Sequence, residues 1–556
     1  MRLKRSWIPA LAVALIALTT GGWLLQQSGG DADSPYFQQK LLERVHQIVA
    51  ERYVEEVDPS ELYRMAIEGM LRELGDPYSS FLDPEEVEQL KLSTTGNYGG
   101  LGIRIDAQDG WITVVGVLPN TPAERRGLQT GDRIIQVEGE SAEGWSTTRA
   151  VNVLRGEKGS DVRITVARVG TDKPLRFTIT RAEIHVEAVT AFMMDGSVGY
   201  VKLDPFSEKA DRELEEAIRG LKERGARSIV LDLRGNPGGL LDQGVAVSDL
   251  FLPEGTQVVS TRSRVDSENE TYTAPDPETF QELPLAVLVN SYSASASEIV
   301  AGALQDQDRA LIVGTGTFGK GSVQSLFRLP AGNYLKLTTG RWYTPSGRSI
   351  QKAHDTETRI AQQAVAMGGS PVAVGVDTAG RETYTTSAGR TVYGGGGITP
   401  DVIVMPDTLT SREQLLRSSL SEQGVALSEV AFKFAVSWSK EHPGLEPKFA
   451  VTEEMRSAFL ERLQAASDGG VDPKLFRDAR GYVNWLLGQE IARAAFDEET
   501  RLRRVQRSDP QVGRAIAMLQ EARDTRELLA LAAASSAPGR AAGGSGGSDA
   551  GGTERD

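Results

Sequence analysis

The spacing of apolar positions changes character several times along the chain. Between 36 and 90 apolar residues recur at helical spacing, and two helix-start signals follow, each with an acidic N-cap, a proline and a glutamate, at Asp58 and Asp83. This pattern predicts a helical N-terminal region over 36–90 whose roles are packing and self-association. The first apolar positions of the series are Phe37, Leu41, Val45, Ile48, Val49 and Tyr53.

A β-type alternation replaces this helical spacing between 95 and 183. Apolar and polar residues alternate from Leu101, and the turn signal Asp109-Gly110 leads into a second apolar run. The order of strands and two short helices, opened by a glycine-rich loop, resembles a PDZ domain. The resemblance implies that this loop binds the carboxylate of a peptide C-terminus, since glycines let a backbone approach closely. The loop residues are Gly100, Leu101, Gly102 and Ile103. A small β-rich domain with a purely structural role is the alternative.

From 184 to 405, apolar runs alternate with helical stretches. The runs predict strands at 198–203, 228–233, 285–289 and 310–314, and their alternation with helices predicts an α/β core. Catalytic groups in such sheets lie at the carboxyl ends of strands. A glycine-rich turn follows the second run, and a cluster of serines follows the third. Residues 353–397, rich in Gly, Thr and Ser, are predicted to be an insertion.

The two ends of the chain differ from this core. Residues 409–530 again have a helical pattern with charges of both signs, and 531–556 are rich in Ala, Gly and Ser, which predicts a disordered tail. At the start, a basic segment precedes an uncharged apolar run at 7–25, within a signal or anchor segment at 1–30. At about 1.5 Å per residue this run nearly spans a hydrocarbon core of about 30 Å.

The charge distribution of the N-terminus predicts where the rest of the chain lies. The basic flank stays in the cytoplasm, so the later residues are expected outside it, in the cell envelope or bacterial periplasm. We expect the 7–25 helix to be a retained inner-membrane anchor. A cleaved signal peptide is the alternative.

Composition excludes several kinds of chemistry. The 556 residues carry a formal net charge of −15, which makes nucleic acid an unsuitable partner. There is no cysteine, so disulfides and thiolate catalysis are excluded. The four histidines form no short metal-binding motif, and we expect no metal or cofactor.

The candidate chemistry lies in the serine cluster at 293–297 and in a later loop where glycines enclose Lys320. A serine hydroxyl needs a neighbouring base, and a lysine can serve in its neutral form. A solvated surface charge and phosphate binding are the alternatives for this lysine. Gly321 separates it from Ser322, which breaks the P-loop pattern of a phosphate site. A tetrahedral oxyanion needs two backbone donors. The donor candidates are the N–H of Ala296, at the start of a helix, and the turn at Gly238 and Gly239.

Together these motifs resemble the carboxyl-terminal processing proteases, a family of tail-specific serine peptidases with a PDZ domain. The motifs are the PDZ segment, 232–239, 293–304, 317–324 and 397–402. The resemblance implies a core of the ClpP/crotonase-like type, with Ser295 as nucleophile, Lys320 as general base and Gln324 as a supporting residue. Ser293 and Ser297 are chemically possible nucleophiles, and only the family spacing selects Ser295. Either Gly238 or Gly239 would be the second oxyanion donor.

The sequence therefore predicts a multidomain serine endopeptidase of the cell envelope. Its PDZ domain would bind protein C-terminal tails, and a Ser295–Lys320 dyad would cleave through an acyl-enzyme. Homo-oligomers are a further expectation. The alternatives are a catalytically silent PDZ scaffold and a serine hydrolase that does not act on peptides. No Gly-x-Ser-x-Gly motif surrounds Ser295, which argues against an α/β-hydrolase.

Overall fold

The structure, a computed structural model, describes residues 34–194, 196–277, 279–352, 378–467 and 470–536. The chain divides into two compact units, Met1–Glu85 with Gln324–Thr338 and Glu86–Val323 with Thr339–Asp556. Across the described ranges, no helix has both the length and the apolar character needed to cross a membrane. The predicted anchor at 7–25, the first part of the predicted insertion and most of the predicted tail lie outside these ranges.

Within residues 34–85, the first unit has two helices and a short strand. Helices α1 (Pro35–Arg52) and α2 (Pro59–Glu73) begin after Ser34 and Asp58, whose side chains accept hydrogen bonds from backbone N–H groups of the first turn. Strand β1 (Ser80–Leu82) pairs antiparallel with residues 334–336. The predicted helical region therefore also contains a strand, which helical periodicity could not indicate because its partner lies far away in the sequence.

Helix α3 (Pro84–Thr95) precedes a small antiparallel sheet in the second unit. The sheet has the order β3-β4-β5-β7-β8, with β6 on β5, while β2 pairs with β9. Its strands are β2 (Asn97–Gly100), β3 (Ile103–Gln108), β4 (Trp111–Val117), β5 (Arg133–Val137), β6 (Glu140–Ser141), β7 (Asp161–Ala167), β8 (Leu175–Thr180) and β9 (Ala182–His185). Helices α4 (Pro122–Arg125) and α5 (Thr147–Leu154) cover a core that includes Ile112, Ile134 and Ile164.

The larger sheet has the order β10-β11-β12-β15-β16-β21, in which β10 is antiparallel to β11 and the other neighbours are parallel. The remaining strands are β10 (Val189–Met193), β11 (Val198–Leu203), β12 (Ser228–Asp232), β13 (Gln257–Ser263), β14 (Glu270–Thr273), β15 (Leu285–Val289), β16 (Leu311–Gly314), β17 (Ser322–Arg328), β18 (Tyr334–Tyr343), β19 (Thr383–Thr385), β20 (Thr391–Tyr393) and β21 (Val402–Ile403). In the second unit β13 pairs antiparallel with β14 and with residues 340–343, and β19 pairs with β20.

Among the residues that the structure describes, three helices follow strands of the large sheet and eight more lie in the C-terminal region. These helices are α6 (Ala210–Glu223), α7 (Leu241–Asp249), α8 (Ala296–Asp306), α9 (Ser411–Glu422), α10 (Leu427–Glu441), α11 (Glu453–Ala466), α12 (Pro473–Asp478), α13 (Arg480–Ala495), α14 (Glu498–Arg507), α15 (Pro510–Glu521) and α16 (Thr525–Ser536). Helices α9 to α13 enclose an apolar cluster of their own, which includes Phe459 and Leu463. Helix α10 also contacts the small sheet, where Lys433 pairs with Asp109.

Both faces of the large sheet are covered, which explains the continuous apolar runs of its strands. Along β12, Ile229 and Leu231 pack in the cluster that contains α6, α7 and α8. Val230, between them, packs in the opposite cluster with residues of α15 and α16, such as Val512 and Leu519. The last C-terminal helices are therefore part of the packing around the large sheet.

Candidate active site

Ser295 occupies a strained turn between a buried strand and a buried helix. All five residues of β15 are buried, and the chain reaches α8 through Ser295, the N-cap residue. Its backbone has φ 54° and ψ −116°, a region that non-glycine residues seldom adopt. In α/β-hydrolases a strained turn between a strand and a helix exposes the nucleophilic serine hydroxyl. The first N–H groups of α8 have no intrahelical carbonyl to bond.

The glycine turn after β12 lies directly against Ser295. A Cβ atom placed on Gly238, whose φ is 96°, would be 2.8 Å from Ser295 Cβ and 2.9 Å from Ala296 N. A Cβ on Gly239 would be 2.3 Å from the carbonyl oxygen of Phe206. Only glycine fits at either position, and the turn brings its backbone beside the serine. In this structure Gly238 N–H donates to Asn236 Oδ1 at 2.8 Å.

Asn236 joins this turn to both sides of the serine. Its carbonyl oxygen accepts hydrogen bonds from Ala294 N at 3.1 Å and from Ser297 Oγ at 2.9 Å. Its side-chain Nδ2 donates to the carbonyl of Leu203 at 2.8 Å. The serine turn and the glycine turn are thus held together by hydrogen bonds within a buried region.

The three candidate serines have different surroundings. Ser293 is fully buried, and its Oγ donates to the carbonyl of Leu233 at 2.8 Å. Ser297 is also fully buried, and its Oγ donates to Asn236. Ser295 is partly exposed. A substrate can therefore approach Ser295, while the other two hydroxyl groups bind carbonyl oxygens of the fold.

The carboxylate of Glu298 connects the serine turn with the lysine loop. Its Oε2 accepts hydrogen bonds from Ser295 N at 3.0 Å and from Lys320 N at 2.9 Å. Its Oε1 accepts from Thr317 Oγ1 at 2.5 Å and from Gly319 N at 2.7 Å. Because one oxygen binds both amides, the backbone nitrogen atoms of Ser295 and Lys320 are at most about 6 Å apart. Burial raises the pKa of Glu298, and the hydrogen bonds from Thr317 and the loop amides oppose that rise.

The lysine loop is also fixed from its other side. The carbonyl of Lys320 accepts a hydrogen bond from Trp342 Nε1 at 3.1 Å. A second lysine, Lys352, donates from Nζ to the carbonyl of Thr317 at 2.8 Å, and burial lowers its pKa while the charge of Glu298 opposes that shift. A Cβ on Gly319 would be 2.6 Å from the side chain of Lys352, so this glycine makes room for it.

An ion pair supports the glycine turn from the end of β12. Burial alone would raise the pKa of Asp232, but the charges of Arg234 and Lys202 outweigh it and hold this pKa at about 2. Arg234 binds both oxygens of Asp232 and also contacts the C-terminal residues Asp509, Gln506 and Gln511. The arginine that begins the glycine turn is therefore held both by the end of β12 and by the distant C-terminal region.

Gln324 belongs to the first unit of the structure, where its side-chain Nε2 donates to Thr338 Oγ1 at 3.3 Å. Its supporting role for Lys320 stays a prediction.

The predicted peptide-binding loop lies between β2 and β3. Gly102 has φ 81°, and a Cβ there would be 2.3 Å from Thr121, so the position requires glycine. Leu101 is buried, and its carbonyl accepts a hydrogen bond from Ala123 N. A small cavity of about 60 Å³ lies between this loop and α5. It is lined by Tyr98, Leu101, Gly102, Ile103, Ile105, Val151, Leu154 and Arg155. The loop and its neighbouring cavity have the form of a site for an extended peptide end.

Sequence reasoning did not assign a role to Glu298, Asn236, Lys352 or Arg234. A signal existed for Glu298, because a serine followed three residues later by a glutamate is a capping-box pattern. The other three also bind partners that are distant in sequence, such as Thr317 for Lys352 and Asp509 for Arg234, and local patterns contain no information about these contacts.

Comparisons with known proteins match three segments of this chain to known families. Peptidase family S41 matches residues 197–360, a PDZ domain matches 89–167, and the N-terminal domain of the activating protease CtpB matches 25–86. The carboxyl-terminal-processing protease of Synechocystis is 37% identical over 63% of this chain and 82% of its own length. The solved photosystem II D1 C-terminal processing protease is 30% identical and covers 56% of this chain and 90% of its own, with a TM-score of 0.33.

The carboxy-terminal-processing protease of Bartonella bacilliformis is 42% identical over 57% of this chain and 73% of that protein. On this evidence the chain belongs to the carboxy-terminal processing proteases, serine peptidases that combine a family S41 domain with a PDZ domain.

Proposed function

We propose that this protease is an endopeptidase that cleaves proteins near their C-termini through a Ser295–Lys320 dyad. The observation that carries the proposal is the buried carboxylate of Glu298, which binds the backbone amides of both residues and keeps them in one site. The exposure of Ser295, compared with the buried Ser293 and Ser297, supports the choice of nucleophile.

The reaction proceeds in two steps. Neutral Lys320 takes the proton of Ser295 Oγ as this oxygen attacks the peptide carbonyl, and then transfers it to the leaving amine. The resulting acyl-enzyme is hydrolysed by water, which Lys320 activates in the same way. The N–H of Ala296 and an N–H of the Gly238–Gly239 turn stabilise the oxyanion. Because Gly238 N–H is bonded to Asn236 in this structure, its use would require that bond to be shared or replaced.

The PDZ domain selects the substrate by its end. The loop Gly100–Ile103 binds the terminal carboxylate, and the preceding residues of the tail add as a strand beside β3. Gln324 supports Lys320. We also propose that the domains have the boundaries 36–90, 95–183, 184–405 and 409–530.

We place the enzyme in the bacterial cell envelope, anchored by residues 7–25. The basic segment at the start of the chain and the uncharged apolar run that follows it support this placement. Self-association is a further part of the proposal. It is supported by the apolar residues of α1 that are exposed in the single chain, among them Phe37, Leu41 and Val45.

The test compares four proteins on a peptide that ends in a free carboxylate: the wild type, Ser295→Ala, Lys320→Ala and Ser293→Ala. Cleavage should be lost in Ser295→Ala and Lys320→Ala. It should be kept in folded Ser293→Ala protein. Cleavage that survives in Ser295→Ala or Lys320→Ala would overturn the dyad. Ester hydrolysis without peptide cleavage by the wild type would favour a different serine hydrolase.

A further inference from the structure

The C-terminal region supplies three hydrogen-bond acceptors to Arg234, the first residue of the turn beside Ser295. The guanidinium of Arg234 has five N–H donors, and each has an acceptor. Nε and Nη2 bind Asp232 at 2.9 and 2.6 Å. Nη1 binds Asp509 Oδ2 at 2.7 Å and Gln511 Oε1 at 2.8 Å, and Nη2 also binds Gln506 Oε1 at 3.0 Å. Three of the five contacts therefore come from the junction of α14 and α15.

The residues of this junction are fixed by burial and by hydrogen bonds. Gln506 and Gln511 are almost fully buried. Asp509 caps α15, since its Oδ1 accepts from Gln511 N and Val512 N while its Oδ2 remains for Arg234. The three acceptors stand on helices that pack over the large sheet, so their positions are set by the apolar cluster beneath them.

Arg234 links the C-terminal helices to the glycine turn beside Ser295. Its backbone carbonyl accepts a hydrogen bond from Lys202 Nζ at 2.7 Å, which fixes the start of the turn. Two residues later, Asn236 binds the amide of Ala294 and the hydroxyl of Ser297 on either side of the nucleophile. A shift of Arg234 would thus move the turn that faces Ser295.

We infer that Asp509, together with Gln506 and Gln511, is a positioning residue for peptide hydrolysis, because these C-terminal side chains hold Arg234 and through it the glycine turn beside Ser295. The inference rests on the proposed function. It assigns a catalytic requirement to residues that lie outside 197–360, the segment matched by the peptidase family.

The direct test is Asp509→Asn. Asparagine caps a helix as well as aspartate does, so α15 is kept. In this variant the side-chain oxygen caps the helix. An uncharged amide nitrogen then replaces the carboxylate oxygen Oδ2 that accepted the hydrogen bond from Arg234. Asp472→Asn is a matched control, because Asp472 precedes a proline and caps α12 in the same way, with Lys474 N as its donor.

We expect kcat of Asp509→Asn on a C-terminal tail peptide to fall about tenfold, with KM changed less than about twofold. The Asp472→Asn control should keep the wild-type kcat. A second substitution, Gln506→Glu, returns a carboxylate to Arg234 Nη2 and should recover part of the lost kcat in the Asp509→Asn background. A merely structural defect would not be rescued in this way.

The outcomes separate the two proposals. If Ser295→Ala is inactive but Asp509→Asn has the kcat of Asp472→Asn, only the positioning inference is wrong. If Ser295→Ala remains active, the proposed function and the inference that rests on it are both wrong. Should Asp509→Asn not fold, Gln506→Met removes one acceptor with little change of shape and should also lower kcat, and an unchanged kcat would overturn the inference.

Discussion

Replacement of Glu298 by glutamine tests the connection between the serine turn and the lysine loop. Glu298 accepts two hydrogen bonds on each carboxylate oxygen. Glutamine has the same shape but offers one acceptor oxygen, so in either orientation two buried donors lose their partner. These are the amides of Ser295 and Lys320, or the hydroxyl of Thr317 and the amide of Gly319.

The size of the effect follows from these contacts. Each buried donor without an acceptor costs about 1–3 kcal/mol, which gives about 2–6 kcal/mol in total. Burial raises the pKa of Glu298, which shows that the buried negative charge itself has a free-energy cost. The neutral glutamine removes this cost and so offsets part of the loss of hydrogen bonds. We therefore expect local opening of the site to become easier by about 2–3 kcal/mol, which corresponds to about 30–150-fold faster amide exchange.

Hydrogen–deuterium exchange on peptides that contain Ser295 or Lys320 measures this opening, and steady-state cleavage of a tail peptide measures catalysis. We expect kcat to fall about 100-fold, since displacement of a catalytic group by about 1 Å has this effect. Leu463→Ala is the control: Leu463 is fully buried in the C-terminal helical cluster, and its truncation costs about 2–5 kcal/mol away from the site. A folded Glu298→Gln protein with wild-type kcat and wild-type exchange would refute the reasoning.

Three further predictions concern the turns and the ion pair. Gly102→Ala places a methyl group against Thr121 at positive φ, so binding of a C-terminal peptide, measured by calorimetry, should weaken at least about tenfold. Gly238→Ala should lower kcat at least about 100-fold in a folded protein, as shown by steady-state kinetics beside circular dichroism. Since the pKa of Asp232 is about 2 when folded and about 3.9 when unfolded, its ion pair with Arg234 stabilises the fold above pH 4. This contribution, about 2–3 kcal/mol, should be lost as pH falls from about 4 to about 2, and unfolding curves of wild type and Asp232→Asn should converge there.

The strands of the large sheet could be predicted because their burial determines their composition. Residues 198–203 and 285–289 form β11 and β15 with the predicted bounds. A strand covered on both faces must be apolar at successive positions, and few other structures require such short apolar runs. The apolar stretch at 398–404 forms only a short strand, because Val402 and Ile403 are the residues that pair with β16. Ile398 instead binds the Thr317 loop through its backbone.

The parts of the site that depend on local shape could also be foreseen. Glycines at 238 and 239 indicated a backbone that approaches something closely, and the structure places Gly238 against Ser295. The choice of one serine among three could not be made from local chemistry. It depends on which hydroxyl groups are buried against Leu233 and Asn236, and these contacts join separate strands.

The long-range contacts lay beyond what sequence patterns contain. Arg234 and Asp509 are far apart in sequence, and neither is in a motif that predicts the other. Their contact arises because α15 packs across the large sheet and begins near the turn after β12. The sequence therefore predicts that the C-terminal region is helical, but it does not predict that these helices pack on the large sheet.

The central claim is tested most directly by identifying the residue that reacts. The protein is incubated with a fluorophosphonate, which forms a stable adduct on an activated serine, and the modified peptide is located by mass spectrometry. We predict one adduct on Ser295, with a rate that falls about 10²–10⁴-fold in Lys320→Ala because the general base is removed. An adduct on Ser293 or Ser297, or an unchanged rate in Lys320→Ala, would contradict the Ser295–Lys320 dyad.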